Sequence, residues 1–402
     1  MAITKATDRL NGPCGGRDPM GNVPEGGVHL PPLCVPTPNQ ATFFYAIPHL
    51  VSIFALSLGS GEYFWARPVP KNILHSQDLT AVHISGFDFG CGNTNGAYTA
   101  SGVTPPLASR GNADGVGQMQ HFARDDGLNV FRLPVCWQYL VNNQLGATLD
   151  ATNVGVYDQL VSACLETGAY CVIDIHNYAR WGYQIIGQSG GAVTNDHFAS
   201  VWYQMAAKYQ SQAKVIFGVM NEPHDLDVNA WGITVQYAVT SIRNAGATSQ
   251  MILLPGTGYT AAGSFVSSGS AAALSAVTNP DGSHTNLIFD VHQYLDADFS
   301  GTSTECTSDG IANLNNLATY LRDNGRQAFL TETGGGSSNS CYANLCAGLD
   351  WMNYHADVYL GWIGWAAGAF PTDYVLSETP TYANGVWTDT GIVSSCVAGK
   401  FK

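Results

Sequence analysis

Residues 215–223 read Val215-Ile216-Phe217-Gly218-Val219-Met220-Asn221-Glu222-Pro223, and this stretch decides the fold. Six residues pass without a polar side chain, and then an amide and a carboxylate arrive together before a proline. A strand with one wet face alternates apolar and polar residues. A run without alternation fits a strand covered on both faces, as in a parallel sheet. The polar pair stands where that strand runs out.

Seven more β-rich runs lie around it, at 80–86, 129–135, 170–176, 251–255, 286–292, 327–332 and 359–365, so that with 215–222 there are eight. Helical stretches separate them. Within 194–212, Phe198, Val201, Trp202, Met205 and Tyr209 fall at helical spacing behind Thr194 or Asn195 as a cap. Val235, Val239 and Ile242 repeat the pattern, as do Leu314, Leu317 and Leu321. Strand–helix alternation repeated eight times predicts an α/β fold, a (β/α)8 TIM barrel forming one catalytic domain over 79–402. A doubly wound sheet is the runner-up, but the chain has neither GxGxxG nor a Walker A lysine motif. The barrel is preferred.

Composition narrows the function. The chain has 402 residues and a formal charge of −14, yet charged residues make up only 11 %, under half of the roughly 25 % usual for globular proteins. Apolar residues at 45 % exclude a disordered chain. So few Lys and Arg argue against nucleic acid or an anionic membrane as partner, since both are bound through cationic side chains. The profile fits a secreted, extracellular enzyme acting on a neutral substrate.

Residues 1–78 read differently. The stretch 11–40 is crowded with Gly and Pro and has no period, and 41–58 is an apolar run interrupted by Pro48 and His49. A secretion signal would begin with a basic patch at the N-terminus, and this run begins forty residues in. The segment is taken as an irregular extension, either disordered or an artefact of the gene model. No chemistry is expected in it.

In a TIM barrel, function sits at the C-terminal ends of the strands. Polar residues gather there: Arg132 on the second strand, Asp174 and His176 on the third, Asn221 and Glu222 on the fourth. Asp290, His292 and Tyr294 follow on the sixth, Glu332 on the seventh and Trp365 on the eighth. One such residue is usually a solvated rim group. Gathering an arginine, two glutamates and two histidines at one barrel mouth is costly without a purpose. Glu222 and Glu332 read as a carboxyl pair facing each other, which glycoside hydrolysis requires. Arg132 beside Glu332 would hold it ionised, and less charged surroundings would keep Glu222 protonated.

From about residue 82 to 398 the chain closely resembles fungal endo-β-1,4-glucanases (cellulases) of glycoside hydrolase family 5. The resemblance is carried by Ser85-Gly86-Phe87-Asp88-Phe89-Gly90, Phe131-Arg132-Leu133-Pro134-Val135 and Asp174-Ile175-His176-Asn177-Tyr178-Ala179-Arg180-Trp181. It continues in Asn221-Glu222-Pro223-His224, Phe289-Asp290-Val291-His292 and Thr331-Glu332-Thr333-Gly334-Gly335-Gly336. All eight residues that this family uses around its reacting sugar have a counterpart. The resemblance implies Glu222 as general acid/base and Glu332 as nucleophile, in a retaining reaction with carboxyl groups roughly 5–5.5 Å apart. Asn221 would hold the sugar 2-hydroxyl, while Arg132 and Tyr294 would orient Glu332. His292 would stand near the acid/base, His176 would hold sugar hydroxyls, and Trp365 would lie under the ring. Trp181 and Tyr259 are the next expected platforms, whereas Trp137, Trp202 and Trp351 read as core. The implied partner is a neutral β-glucan bound by a monomer, with no nucleic acid or membrane, and no cofactor or metal.

Alternatives within reach are a β-mannanase or xyloglucanase of the same fold, and a carbohydrate-binding barrel without activity. The GxSxG match at Gly187-Gln188-Ser189-Gly190-Gly191 lies in a loop rather than on a strand–turn–helix elbow, so it is discounted. A metal-dependent barrel hydrolase would want His-x-His on the first strand, which offers only His83.

Of ten cysteines, none forms a CxxC pair. Disulfides in an oxidising compartment are the better reading, although six buried thiols would also be consistent. Alongside the resemblance, the pairs expected are Cys164–Cys171, Cys306–Cys341 and Cys346–Cys396. Relatives usually have a second cysteine soon after Cys91, and many have Gly where Cys136 stands. Cys91 and Cys136 are therefore free thiols or an unusual pair, and Cys14 and Cys34 fall in the extension. The family's usual lead-in before Val82 is replaced here, which leaves the N-terminal closure of the barrel open.

Overall fold

A computed structural model of the chain describes residues 79–398 apart from 93, 111, 112 and 189. The apolar run 41–58, Cys14 and Cys34 lie outside the described residues, and so does Ser189 of the GxSxG match. Among the described residues no helix is long and apolar enough to cross a membrane.

The eight β-rich runs form a closed parallel barrel: β1 (Leu79–Ser85), β2 (Val130–Val135), β3 (Tyr170–Ile175), β4 (Val215–Gly218), β5 (Ile252–Pro255), β6 (Leu287–His292), β7 (Ala328–Thr333) and β8 (Tyr359–Gly368). Closure at the N-terminal strand is complete. β1 pairs with β8 from Leu79 opposite Gly361 to Ser85 opposite Gly368, and with β2 through Ala81 opposite Val130 and His83 opposite Arg132.

Between the strands run α1 (Gly115–Asp125), α2 (Ala151–Glu166), α3 (Asn195–Tyr209), α4 (Val228–Asn244), α5 (Ser270–Ser275), α6 (Ile311–Asn324) and α7 (Asn339–Asn353). Thr194 caps α3 in a capping box with His197, and Asp150 and Asp227 cap α2 and α4. Indole groups fasten this layer to the barrel. Trp202 Nε1 donates to the Val219 carbonyl at 3.1 Å and Trp231 Nε1 to that of Pro255 at 2.8 Å. Trp137, Trp202 and Trp231 are fully buried, and truncating such a side chain to Ala costs roughly 3–5 kcal/mol. The alternation predicts an eighth helix after β8, and here the structure differs. A hairpin, Thr381–Ala383 with Val386–Thr388, and a π-helical segment Val393–Val397 take its place, tied to α7 by Cys346–Cys396. Cys91 is bonded to Cys136, Cys164 to Cys171 and Cys306 to Cys341.

The barrel interior is built in two layers. Ala81, Val130, Val172, Ile216, Leu253, Ile288, Phe329 and Ile363 pack together in the lower one. Because side chains of one face recur every second residue, the next layer up is set by His83, Arg132, Asp174, Gly218, Pro255, Asp290, Thr331 and Trp365. An apolar plug thus carries a polar floor.

Glu378 is buried behind β8. Its amide donates to the Ala366 carbonyl at 2.9 Å, and a Cβ on Gly364 would stand 2.3 Å from its Oε1, so only glycine leaves room for the carboxyl. Burial pushes its pKa up to about 8, against 4.5 when exposed. Between those limits the folded chain holds a proton that the unfolded chain has released, so this group's contribution to stability falls as pH rises through the window. Glu378→Gln is neutral throughout. It is expected to match the native Tm near pH 4 and exceed it by several degrees near pH 9 in calorimetric scans. A native advantage at the higher pH would contradict this account.

Candidate active site

The backbone above the polar floor departs from regular strand geometry where the functional side chains stand. β4 ends at Gly218, and the Asn221 amide then donates to the Ile175 carbonyl at 2.8 Å. Glu222 follows with φ of 42°, a left-handed conformation costing of order 1–2 kcal/mol for a residue with a Cβ. Tyr178, Ala179, Tyr259 and Thr260 share it, with φ between 52° and 60°. On β7 the register against β6 slips between Val291 opposite Leu330 and His292 opposite Glu332. A slip of this kind re-aims side chains. Thr331 bonds the Asp290 carboxylate while its neighbour Glu332 reaches Arg132.

Arg132 is fully buried and organises the floor. Its Nη1 donates to Glu332 Oε1 at 2.7 Å, and its Nη2 donates to Asn221 Oδ1 at 2.8 Å and lies 2.9 Å from Asp174 Oδ1. Tyr294 Oη donates to Glu332 Oε2 at 3.0 Å, so both oxygens of this glutamate are held. His292 Nδ1 stands 2.8 Å from Glu222 Oε1 and 3.2 Å from Glu332 Oε2. One oxygen of Glu222 and one of Glu332 lie within 4.8 Å of each other.

The two glutamates sit in unlike surroundings. Withdrawal from water pushes the Glu222 pKa up to about 7, even with His176 and Arg132 near enough to pull it down. Glu332 instead has the guanidinium directly against it. For Arg132, burial alone would lower the pKa, but Asp174, Glu332 and Asp290 outweigh it and hold the group above its ordinary value. Asp174 is likewise buried, yet Arg132 and His176 keep it below the usual carboxylate range. Burial raises Asp290 and lowers His292, and it carries His83 well below the ordinary histidine value with help from Arg132.

A cavity of about 840 Å³ opens above these groups, lined among others by His176, Glu222, Tyr259, His292, Tyr294, Glu332 and Trp365. The Trp365 ring stacks beside His176, with centroids 5.6 Å apart, and its Nε1 donates to Tyr374 Oη at 3.0 Å. Tyr259 is 42 % exposed and lies parallel to His224 at 4.5 Å. Trp181 is placed elsewhere. The hairpin Arg180–Trp181 with Gln184–Ile185 turns it edge-on against buried Trp137 at 4.9 Å, and it does not line the cavity. Trp351 packs against the core and stacks on His355. The structure adds Tyr178 and Tyr374 to the cavity wall and His224 beneath Tyr259. Tyr178 and His224 stand inside motifs quoted above and could have been found there. Tyr374 comes from a loop with no such signal.

Among the described residues, two groups bring metal-type donors within 4.8 Å of one another: Glu222 with His292 and Glu332, and His121 with Asp126 and Asp389. In the first, His292 Nδ1 already occupies the space between the carboxylates. In the second, both ring nitrogens of His121 are engaged, by Asp125 and Asp389, each at 2.8 Å.

Known proteins show the same plan. Residues 88–370 match the model of the family described as cellulase (glycosyl hydrolase family 5). Endoglucanase EG-II of Hypocrea jecorina is 59 % identical over 327 residues, covering 80 % of this chain and 78 % of that protein. Endoglucanase 1 of Saitozyma flava is 44 % identical over 350 residues, with 87 % and 96 % covered. The crystal structure of Cel5A (EG2) from Hypocrea jecorina superposes with a TM-score of 0.77 at 58 % identity, over 79 % of this chain and 98 % of that one. The barrel, the carboxyl pair at its mouth and these matches place the chain in the cellulase family, glycosyl hydrolase family 5.

Proposed function

We propose that this chain is an endo-acting β-1,4-glucanase that hydrolyses cellulose and related β-glucans with retention of configuration, by double displacement. The observation that carries the reading is the carboxyl pair: oxygens within 4.8 Å, one group held by Arg132 and Tyr294, the other withdrawn from water. So close an approach lies nearer the roughly 5–5.5 Å of retaining glycosidases than the roughly 6.5–9.5 Å that inverting ones need for an interposed water. The substrate class rests on the relatives named as endoglucanases.

In the first half-reaction Glu332 attacks C1 of the sugar while Glu222 passes its proton to the departing glycosidic oxygen. A glycosyl ester on Glu332 results. In the second, Glu222, now ionised, takes a proton from the water that attacks C1, and Glu332 leaves as carboxylate. Arg132 and Tyr294 fix the nucleophile and take up its returning charge. Trp365 offers an apolar ring face to the C–H groups of the reacting sugar, with Tyr259 as a second platform beyond it. Asn221 and His176 hold hydroxyls, and His292 stands between the carboxyl groups as the proton shifts.

The acting form in this reading is a monomer. Four disulfides fit work in an oxidising, extracellular space. Residues 79–402 form the catalytic unit in this reading, and the extension before them takes no part in the reaction.

A carboxyl that must be protonated to act fails as pH rises past its pKa. The alkaline limb of kcat/KM is therefore expected near pH 7, where Glu222 ionises. In Glu222→Ala that limb should vanish, with hydrolysis of cello-oligosaccharides falling roughly 10²–10⁴-fold and aryl glycosides with acidic leaving groups much less affected. An alkaline limb that survives the substitution would remove Glu222 from the role. For the nucleophile, a 2-deoxy-2-fluoro-cellobioside should label the peptide bearing Glu332, read by mass spectrometry, and NMR should show the β-anomer as first product. Label on another peptide, or an α-anomer first, would overturn the mechanism.

A further inference from the structure

Four buried side chains close a ring under the reacting sugar. Asp174 Oδ2 lies 2.8 Å from His176 Nδ1, and His176 Nε2 lies 3.1 Å from Asn221 Nδ2. Asn221 Oδ1 accepts from Arg132 Nη2 at 2.8 Å, and the same Nη2 returns to Asp174 Oδ1 at 2.9 Å. Asp174 and Arg132 are fully buried, Asn221 is 1 % exposed and His176 4 %. Water cannot substitute for any of these contacts.

We infer that Asp174 is a positioning residue for the reaction: by holding the Nδ1 proton of His176 it leaves Nε2 bare for the Asn221 amide that Arg132 has oriented, and so fixes which hydrogen of that amide is left for the sugar. The inference rests on the role given above to Asn221 as partner of the 2-hydroxyl.

The oxygen and nitrogen of an asparagine amide are alike in size, so only the neighbours orient it. Arg132 can only donate, which turns Asn221 Oδ1 toward it. Asn221 Nδ2 then faces His176 Nε2, and a hydrogen bond forms there only if that ring nitrogen is bare. Tyr178 Oη, 3.4 Å from the same nitrogen, converges on it as a second donor. Burial alone would lower the His176 pKa, but Asp174 outweighs it and holds the ring above the ordinary histidine value. In the neutral form, with Nε2 accepting, the one ring proton sits on Nδ1. Asp174 Oδ2 is the acceptor that keeps it there. One hydrogen of the Asn221 amide is spent on His176. The other is left for the substrate.

Asparagine at 174 removes this control without changing the shape. If its oxygen accepts from His176 Nδ1, its own NH2 is pressed on the Arg132 guanidinium. If its NH2 turns toward His176 instead, the ring proton moves to Nε2 and opposes the Asn221 NH2. Asn221 must then turn over, and the hydrogen meant for the sugar is lost.

The test is kcat/KM for an aryl β-cellobioside and for its analogue lacking the 2-hydroxyl on the reacting glucose. The native enzyme should prefer the hydroxylated substrate. Asp174→Asn should cut that preference about tenfold or more, beyond the loss that removing a counter-charge of Arg132 imposes on both substrates alike. Equal losses on both substrates would leave Asp174 as a counter-charge for Arg132 and overturn the inference. A native enzyme without the preference would strike at the role of Asn221 itself, and the inference would fall with it. A ¹⁵N NMR spectrum of the native enzyme's histidine rings needs no variant. At a pH above the titration of the ring it should show His176 protonated at Nδ1 and bare at Nε2, and a neutral ring carrying its proton on Nε2 would equally overturn the proposal.

Discussion

The mouth of the barrel depends on one buried cation. Removing a guanidinium from water costs several kcal/mol, and the ion partners beside it must return that much. At an effective dielectric near 20, each carboxylate about 3 Å away attracts it by of order 5 kcal/mol, so two ionised partners make Arg132 tolerable. Asp174 and Glu332 are those partners. The remaining groups adjust to this arrangement. Asp290 is shifted toward its neutral form, and His83 and His292 are held toward theirs. Glu332 thus stands where the floor presents its cation. Glu222 lies outside that pairing and keeps its proton to higher pH.

The same strands supply the stability and the chemistry, two residues apart. Ala81, Val130, Val172, Ile288, Phe329 and Ile363 fill the lower interior, and each is followed on the same face by a residue of the polar floor. The floor inherits the rigidity of the plug below it, which suits a site that must hold charges at fixed separations. Departures from regular geometry mark the rim at the two glutamates. Glu222 is left-handed and β7 slips at Glu332, the two positions where a carboxyl must leave its strand and face the other.

Much of this was legible in residues alone. The runs that never alternate, such as Val215 to Met220, could only be strands buried on both faces, and all eight appear in the barrel with ends shifted by at most a few residues. The largest shift is at β4, where the stretch through Glu222 turns out of the ladder after Gly218. The carboxyl pair and its neighbours Arg132, His292 and Tyr294 lie together because strand ends converge in a barrel. Other features are local. Trp181 stands in the short hairpin beyond β3 with its ring against Trp137, a contact that no period along the chain encodes. The missing helix after β8 left no gap in the alternation, because the count was made on strands. Asp174 stands among the polar strand ends, but its contacts with Arg132 and His176 come from barrel closure and have no signature along the chain. Tyr374 reaches Trp365 from a distant loop, and no pattern of apolar residues encodes that contact.

The apolar plug has a kinetic consequence. Its residues are at most 6 % exposed, so the barrel is sealed from below and the carboxyl groups communicate with solvent through the mouth alone. In the proposed reaction the departing sugar, the incoming water and any second sugar that might intercept the glycosyl ester all share that one doorway. Partition between hydrolysis and transfer to another sugar then becomes a matter of traffic, set by how long the first product lingers in the cleft before water can take its place.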